Sequence, residues 1–278
     1  MLDSLLDALL DTVKLLPYLL ITFIILEFIE HKLNHKNQKA LSKNKKYGPI
    51  VGGVLGGLPQ CGFSAMASNL FSSRVITKGT LIAVFLATSD EMLPIMLSEK
   101  INVLLVLKII GFKVLIGIMI GFLVDLIFKN KIDTDNIHRM CDEDHCDCHH
   151  SNIIVASIKH TLKIGVFVLI ANILINLVIF KIGEDNLSHI LLKKNILVYF
   201  AASLIGLIPN CASSVIITEL YLSKLITIGT LFSGLLTGSG LGILLLFKTN
   251  KNLKENITIL SIIYFVGVLI GFIIDLFI

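Results

Sequence analysis

A cysteine- and histidine-rich stretch at residues 141–150 carries the densest set of metal-binding side chain types in the chain. It reads Cys-Asp-Glu-Asp-His-Cys-Asp-Cys-His-His, which is three Cys, three His and four acids in ten residues. Thiolate and imidazole suit zinc and copper, whereas carboxylates suit harder ions such as manganese. Because the spacing fits no zinc-finger pattern, we predict a flexible loop that collects or senses metal; a solvated acidic linker is the alternative. The candidate ligands are Cys141, His145, Cys146, Cys148, His149 and His150.

Two adjacent carboxylates, Asp90 and Glu91, lie between the apolar stretches 79–87 and 92–97. Ionisable side chains inside a membrane are costly, and such residues indicate a functional site by default. We therefore predict that this pair, with the neighbouring Ser89, binds a cation or exchanges protons. A water-exposed re-entrant tip is the alternative. Glu219, in the second half of the chain, is a further candidate.

Two proline-centred segments predict breaks in apolar helices. They read Gly-Leu-Pro-Gln-Cys-Gly at 57–62 and Leu-Ile-Pro-Asn-Cys-Ala at 207–212. Proline removes a helical N–H and disfavours helix at the preceding residue, and in a membrane such breaks occur where the backbone faces protein or a water-filled cavity. The alternative is an ordinary proline kink. The candidate substrate-binding residues here are Gln60, Cys61, Ser64, Asn210, Cys211 and Ser214.

These motifs recur because the chain is duplicated at an offset of 150 residues. Aligning 51–90 with 201–240 without gaps gives 13 identities in 40 positions. The offset persists to the ends, where GFLVDLIF at 121–128 matches GFIIDLFI at 271–278 and pairs Asp125 with Asp275, which we predict to be interfacial anchors. Duplicated halves are common in secondary transporters, with the substrate site between them.

The composition indicates an integral membrane protein. The chain has 55% hydrophobic and 16% charged residues and a mean hydropathy of +0.86. About eight apolar segments are long enough to enter a bilayer. The net charge of +4 arises from loop lysines, such as six in 31–46, and no basic face with interleaved aromatics predicts nucleic-acid binding. Asp3, Asp7 and Asp11 replace the positive charge of a signal peptide, so we expect a multi-pass protein of the cytoplasmic membrane.

The predicted fold is an all-α integral membrane protein with two homologous repeats and interrupted helices or re-entrant hairpins, about 8–10 membrane segments in all. The first repeat covers residues 1–128, the charged linker 129–152 and the second repeat 153–278. Equivalent loops carry opposite lysine biases, which favours inverted repeats. The lipid bilayer is the expected environment, and a homo-oligomer is compatible with the sequence.

Several of these motifs are similar to those of a bacterial family of ten-span heavy-metal exporters, also described as manganese transporters or arsenic-efflux-like permeases. The resemblance covers nearly the whole chain. It rests on Leu-Pro-Gln-Cys-Gly-Phe-Ser at 58–64, Thr-Ser-Asp-Glu at 88–91, the second Pro-Asn-Cys at 209–211 and the Cys/His-rich central stretch. It implies ten spans and efflux of a metal or metalloid.

The function predicted first is therefore secondary transport that exports a divalent metal ion, with manganese ahead of zinc and cadmium, and with proton exchange as the coupling. No cofactor is required, and no Walker-type motif predicts ATP hydrolysis. A second hypothesis is an arsenite, organoarsenical or soft-metal permease that uses Cys61 and Cys211. An intramembrane enzyme is a third, but no His-Glu-x-x-His or Gly-x-Ser-x-Gly pattern occurs, and we predict no enzyme activity.

Overall fold

The computed structural model describes residues 47–58, 61–88, 92–128 and 196–277, together with isolated positions elsewhere. These residues form helices and turns, without a strand among them, as predicted for an all-α protein. Five helices lie in the first run: α1 Gly48–Gly56, α2 Cys61–Ser72, α3 Lys78–Ala87, α4 Met92–Ser98 and α5 Val103–Ile127. Five lie in the second: α6 Leu197–Gly206, α7 Cys211–Leu222, α8 Ile228–Thr237, α9 Gly242–Thr249 and α10 Leu253–Phe277.

The two runs have the same succession of helices. Adding 150 to the bounds of α2, α3 and α5 returns the bounds of α7, α8 and α10. The helices therefore repeat at the offset that relates the two halves of the sequence. Inversion of one repeat relative to the other stays a prediction, and the linker at 129–152 lies outside the described residues.

Each run contains two interruptions, the first of which is the proline-centred break predicted from the sequence. In the first run α1 ends at Gly56 and α2 begins at Cys61, and in the second α6 ends at Gly206 and α7 begins at Cys211. Both intervals contain a proline, which lacks the N–H that a continuing helix needs. The second interruption separates α3 from α4 and α8 from α9.

An aspartate near the end of the long helix in each run holds the start of a shorter helix. Asp125 accepts hydrogen bonds from the Thr77 hydroxyl at 2.6 Å and from the Gly79 N–H at 2.8 Å. Asp275 accepts the Gly229 N–H at 2.8 Å in the same way. Because the first N–H groups of a helix lack intrahelical partners and carry partial positive charge, a carboxylate stabilises them. These two residues, predicted as interfacial anchors, thus also bind α3 to α5 and α8 to α10.

Glycines let these helices approach closely. A Cβ atom placed on Gly79 would lie 2.1 Å from the backbone oxygen of Gly121, and one on Gly229 would lie 2.2 Å from that of Gly271. Small residues at such crossings are typical of helix packing in membranes, where close backbone contact replaces hydrophobic burial. The close backbone contact therefore occurs at equivalent glycine positions in the two runs.

Three helical segments in the described part are long and apolar enough to span a membrane: Val103–Ile127, Ile228–Thr249 and Leu253–Phe277. The first and third expose large apolar side chains on one face, including Leu107, Met119 and Phe265, as a lipid-facing helix does. The middle segment, which contains the break between α8 and α9, is mostly buried inside the molecule. Two further apolar stretches of the sequence, 13–29 and 161–181, fall largely on residues that are not described.

The two runs contact each other through their short helices. Helix α2 packs on α9, and α7 packs on α4. At the first contact the Ser68 hydroxyl donates to the Gly242 carbonyl oxygen at 2.7 Å, and the hydroxyls of Ser72 and Thr249 lie 2.6 Å apart. Polar hydrogen bonds of this kind hold helices together where water is excluded.

An ion-pair cluster also connects the two runs. The Glu255 carboxylate, at the start of α10, lies 2.8 Å from a guanidinium nitrogen of Arg74 and 2.8 Å from Nζ of Lys78. The Asn250 amide also donates to this carboxylate at 3.2 Å. One acid of the second run therefore binds two bases of the first.

Candidate intramembrane polar site

A polar pocket lies where interrupted helices of both runs meet. The end of α3, the start of α7 and the break after α8 contribute to it. Its lining consists of Thr88, Asn210, Ser213, Ser214, Leu235, Gly238 and Gly240. Hydroxyl, carboxamide and backbone groups thus face one space inside an otherwise apolar bundle.

The backbone of the break after α8 explains why a carbonyl is available there. Helix α8 ends at Thr237, and the Ser239 N–H bonds to the Thr237 oxygen at 2.9 Å. In a continuing helix that N–H would instead bond to the oxygen of Leu235, four residues earlier. Gly240 has a φ of 54°, in the left-handed region that glycine adopts readily. At the break, the Leu235 carbonyl oxygen therefore does not accept the Ser239 N–H, as it would in a continuing helix.

A lysine in the middle of α5 uses this carbonyl. The Lys113 side chain is fully buried, and its Nζ donates to the backbone oxygens of Thr88 and, at 2.9 Å, of Leu235. Thr88 caps the C-terminal end of α3, so the ammonium joins the ends of two broken helices, one from each run. Helix C-termini carry partial negative charge, which favours a cation at this point.

Our sequence reasoning did not single out Lys113. A usable signal was present, because a charged side chain near the centre of a span is costly and marks a function. The offset of 150 also pairs Lys113 with Ile263, so the charge belongs to one repeat alone.

Two of the predicted site residues line the pocket. Asn210 immediately precedes α7, and its carbonyl oxygen accepts the Ser213 hydroxyl at 2.8 Å, which shapes the start of the helix. Ser214 follows one position later in the first turn and also lines the pocket. The structure thus brings these two residues beside Thr88, which belongs to the other run.

Two other predicted site residues lie elsewhere. Ser64 is fully buried, and a Cβ on Gly242 would lie 2.8 Å from its own Cβ, so it packs at the contact between α2 and α9. Glu219 has an exposed side chain and is not part of the pocket lining. Its counterpart Asn69 is fully buried, and among the described residues neither polar atom of its amide has a hydrogen-bond partner.

The remaining predicted residues cannot be placed on this site. Cys61 and Cys211 are the first residues of α2 and α7, but their side chains are not described. Among described residues, no three Cys, His, Asp or Glu side chains are grouped to hold a metal. Outside the described residues lie Gln60, Ser89, Asp90, Glu91, Cys141, His145, Cys146, Cys148, His149 and His150.

The pocket has the chemistry of a site for a small polar solute. Neutral oxygen donors such as carbonyls, hydroxyls and carboxamides are the ligands that hard cations prefer. The buried ammonium of Lys113 adds one positive charge beside them. The site can therefore bind a cation that displaces or tolerates this charge, or an uncharged solute that makes hydrogen bonds.

Comparison with known proteins identifies the family. A family model described as "Putative, 10TM heavy-metal exporter" matches residues 1–186, which include all of the first run. The match is shorter than the nearly full-length resemblance expected from the motifs. No curated protein and no solved structure matches the chain. Because the match covers more than half of the 278 residues, this chain is a membrane protein that belongs to the family of 10TM heavy-metal exporters.

Proposed function

We propose that this chain is a secondary transporter of the cytoplasmic membrane that exports a divalent metal ion, manganese first, through the pocket between its two repeats. One observation carries the proposal: broken helices of both runs meet at a small pocket whose lining includes the polar residues Thr88, Asn210 and Ser214. Non-helical backbone inside a membrane protein is typical of transport sites at repeat interfaces.

In this proposal the neutral oxygens of Thr88, Asn210 and Ser214 replace part of the hydration shell of the ion. Asp90 and Glu91 supply its negative charge, since they follow Thr88 by two and three residues along the chain. Protons that return to these carboxylates as the metal leaves would couple export to the proton gradient. The Cys/His-rich stretch at 141–150 would gather metal without lying on the transport path.

A second candidate cargo is a neutral metalloid such as arsenite, and Lys113 is the observation that favours it. A buried ammonium repels a divalent cation but does not repel an uncharged solute. Cys61 and Cys211 begin the two helices that follow the proline breaks, and thiolates suit arsenic and other soft elements. In this version the two cysteines, rather than the carboxylates, bind the cargo.

Metal flux in proteoliposomes separates these proposals. The purified full chain is reconstituted, and release of manganese, zinc, cadmium or arsenite is followed for the wild type and for two double variants, Asp90→Asn/Glu91→Gln and Cys61→Ser/Cys211→Ser. Glu99→Gln is the matched control, because it removes an exposed carboxylate from the same run. Its flux should equal that of the wild type.

Manganese flux that is lost only in the carboxylate variant is the expected result. Arsenite or cadmium flux that is lost only in the cysteine variant would transfer the site to the thiols. The absence of flux for every solute in the wild type would refute transport of these solutes by this chain.

A further inference from the structure

The ammonium of Lys113 occupies a position that has the features of a cation-binding site. Its Nζ donates to two backbone oxygens at the ends of broken helices, that of Thr88 after α3 and that of Leu235 in α8. Carbonyl oxygens freed in this way are ligands for metal cations. Because two helix C-termini point to one place, their partial negative charges add there.

The same two residues also line the polar pocket. Thr88 and Leu235 lie in its wall together with Asn210, Ser213 and Ser214. The ammonium therefore binds at the edge of the space in which a transported ion would be held. An ion in the pocket and the Lys113 ammonium would have to share, or compete for, the same carbonyl oxygens.

The equivalent helix of the second run packs without a lysine at this depth. Ile263, which corresponds to Lys113 at the offset of 150, is also fully buried and occupies the equivalent position in α10. An apolar side chain is thus sufficient in one repeat, while the other keeps a charged one. Retaining a costly buried charge in one repeat alone indicates a function rather than a packing requirement.

We propose that Lys113 is a tethered cation that fills a metal-binding position formed by the backbone oxygens of Thr88 and Leu235, and that a transported metal ion must displace it. This inference rests on the proposed function. The ammonium then has two effects. It weakens metal binding by competition, and its return to the two carbonyls assists release of the metal.

Metal binding to the purified full chain tests the inference. The dissociation constants of Mn²⁺ and Cd²⁺, each added alone, are measured by isothermal titration calorimetry for the wild type, Lys113→Met and Lys113→Arg. Methionine removes the charge and is one heavy atom shorter than lysine, and arginine keeps the charge. Because the methionine thioether can itself bind Cd²⁺, the Mn²⁺ constant decides the comparison. Lys108→Met is the matched control, because Lys108 lies on the same helix with an exposed side chain.

We expect Lys113→Met to bind Mn²⁺ about tenfold more tightly than the wild type or better, a difference of about 1.4 kcal/mol. Lys113→Arg should bind no more tightly than the wild type, and Lys108→Met should be unchanged. Thermal unfolding is a second measurement. The metal should raise the midpoint temperature of unfolding more for Lys113→Met than for the wild type, because the metal ion replaces the lost ammonium at the two carbonyl oxygens.

Equal or weaker binding by Lys113→Met would overturn the inference, as would the absence of binding by every variant. The same measurements can refute the proposed function and the tethered cation independently of each other. If the wild type carries metal but Lys113→Met binds it no better, only the tethered cation is refuted. If Lys113→Met binds more tightly but the wild type carries no metal in proteoliposomes, the cation site stands and the transport proposal falls.

Discussion

Replacing Glu255 with glutamine tests whether the ion-pair cluster holds the two runs together. The side chain of Glu255 is 7% exposed, and its two oxygens lie 2.8 Å from Arg74 and 2.8 Å from Lys78. Glutamine keeps the shape and one acceptor oxygen but loses the charge. Arg74 and Lys78 would then keep their positive charges without the carboxylate between them.

The expected loss in the free energy of unfolding depends on how deeply the three charged side chains are buried. Removing one partner of a fully buried ion pair costs about 3–5 kcal/mol. Because the Arg74 and Lys78 side chains are 28% and 16% exposed, water compensates part of that loss. We therefore expect Glu255→Gln to lower the free energy of unfolding by about 2–3 kcal/mol.

Unfolding by SDS in mixed micelles, followed by circular dichroism and checked for reversibility, measures this difference. Glu99→Gln is the control, since Glu99 is exposed and should change stability by less than about 0.5 kcal/mol. In a double-mutant cycle Glu255→Gln and Arg74→Gln should cost clearly less together than the sum of the two single changes. A Glu255→Gln protein as stable as the Glu99→Gln control would refute the role of the cluster.

Four further substitutions have expected effects on the free energy of unfolding measured in the same assay. Gly79→Ala should destabilise the protein by about 1–3 kcal/mol or more, because the new methyl group would meet the Gly121 backbone oxygen at 2.1 Å, whereas Gly111→Ala, with nothing within 4 Å, should be neutral or stabilising by up to about 1 kcal/mol. Asp275→Asn should cost about 1–2 kcal/mol, since a carboxamide offers one acceptor where the carboxylate offers two to the start of α8. Asn69→Leu should stabilise the protein by about 1–3 kcal/mol, because the buried amide has no hydrogen-bond partner in the part of the chain that the structure describes.

Much of the helical order could be predicted from the sequence. The prolines at 59 and 209 predict the first interruption in each run, and the offset of 150 predicts that the helices recur. Both signals are local or periodic, so they need no knowledge of which helices touch. Asn210 is also a candidate site residue from the sequence, because it follows a proline break, and in the structure it lines the polar pocket.

The rest depends on contacts between distant segments. No periodicity indicates that Lys113 reaches the ends of both α3 and α8, since that requires the packing of three helices around one point. The exposure of Glu219 likewise depends on which face of α7 meets its neighbours. A carboxylate in an apolar segment is a candidate from sequence alone, but its burial is a property of the assembled bundle.

Accumulation of manganese under an imposed pH gradient would distinguish the proposed active transport from passive permeation. Proteoliposomes that contain the wild-type chain are given equal manganese inside and outside, and a pH gradient is then imposed across the bilayer. We expect manganese to accumulate on one side above its starting concentration, and to stop doing so when a protonophore removes the pH gradient. Manganese that stays equal on both sides under the pH gradient would contradict proton-coupled transport. In that case, exchange of radioactive manganese across the bilayer would indicate a passive pore, and the absence of exchange would contradict the proposed cargo.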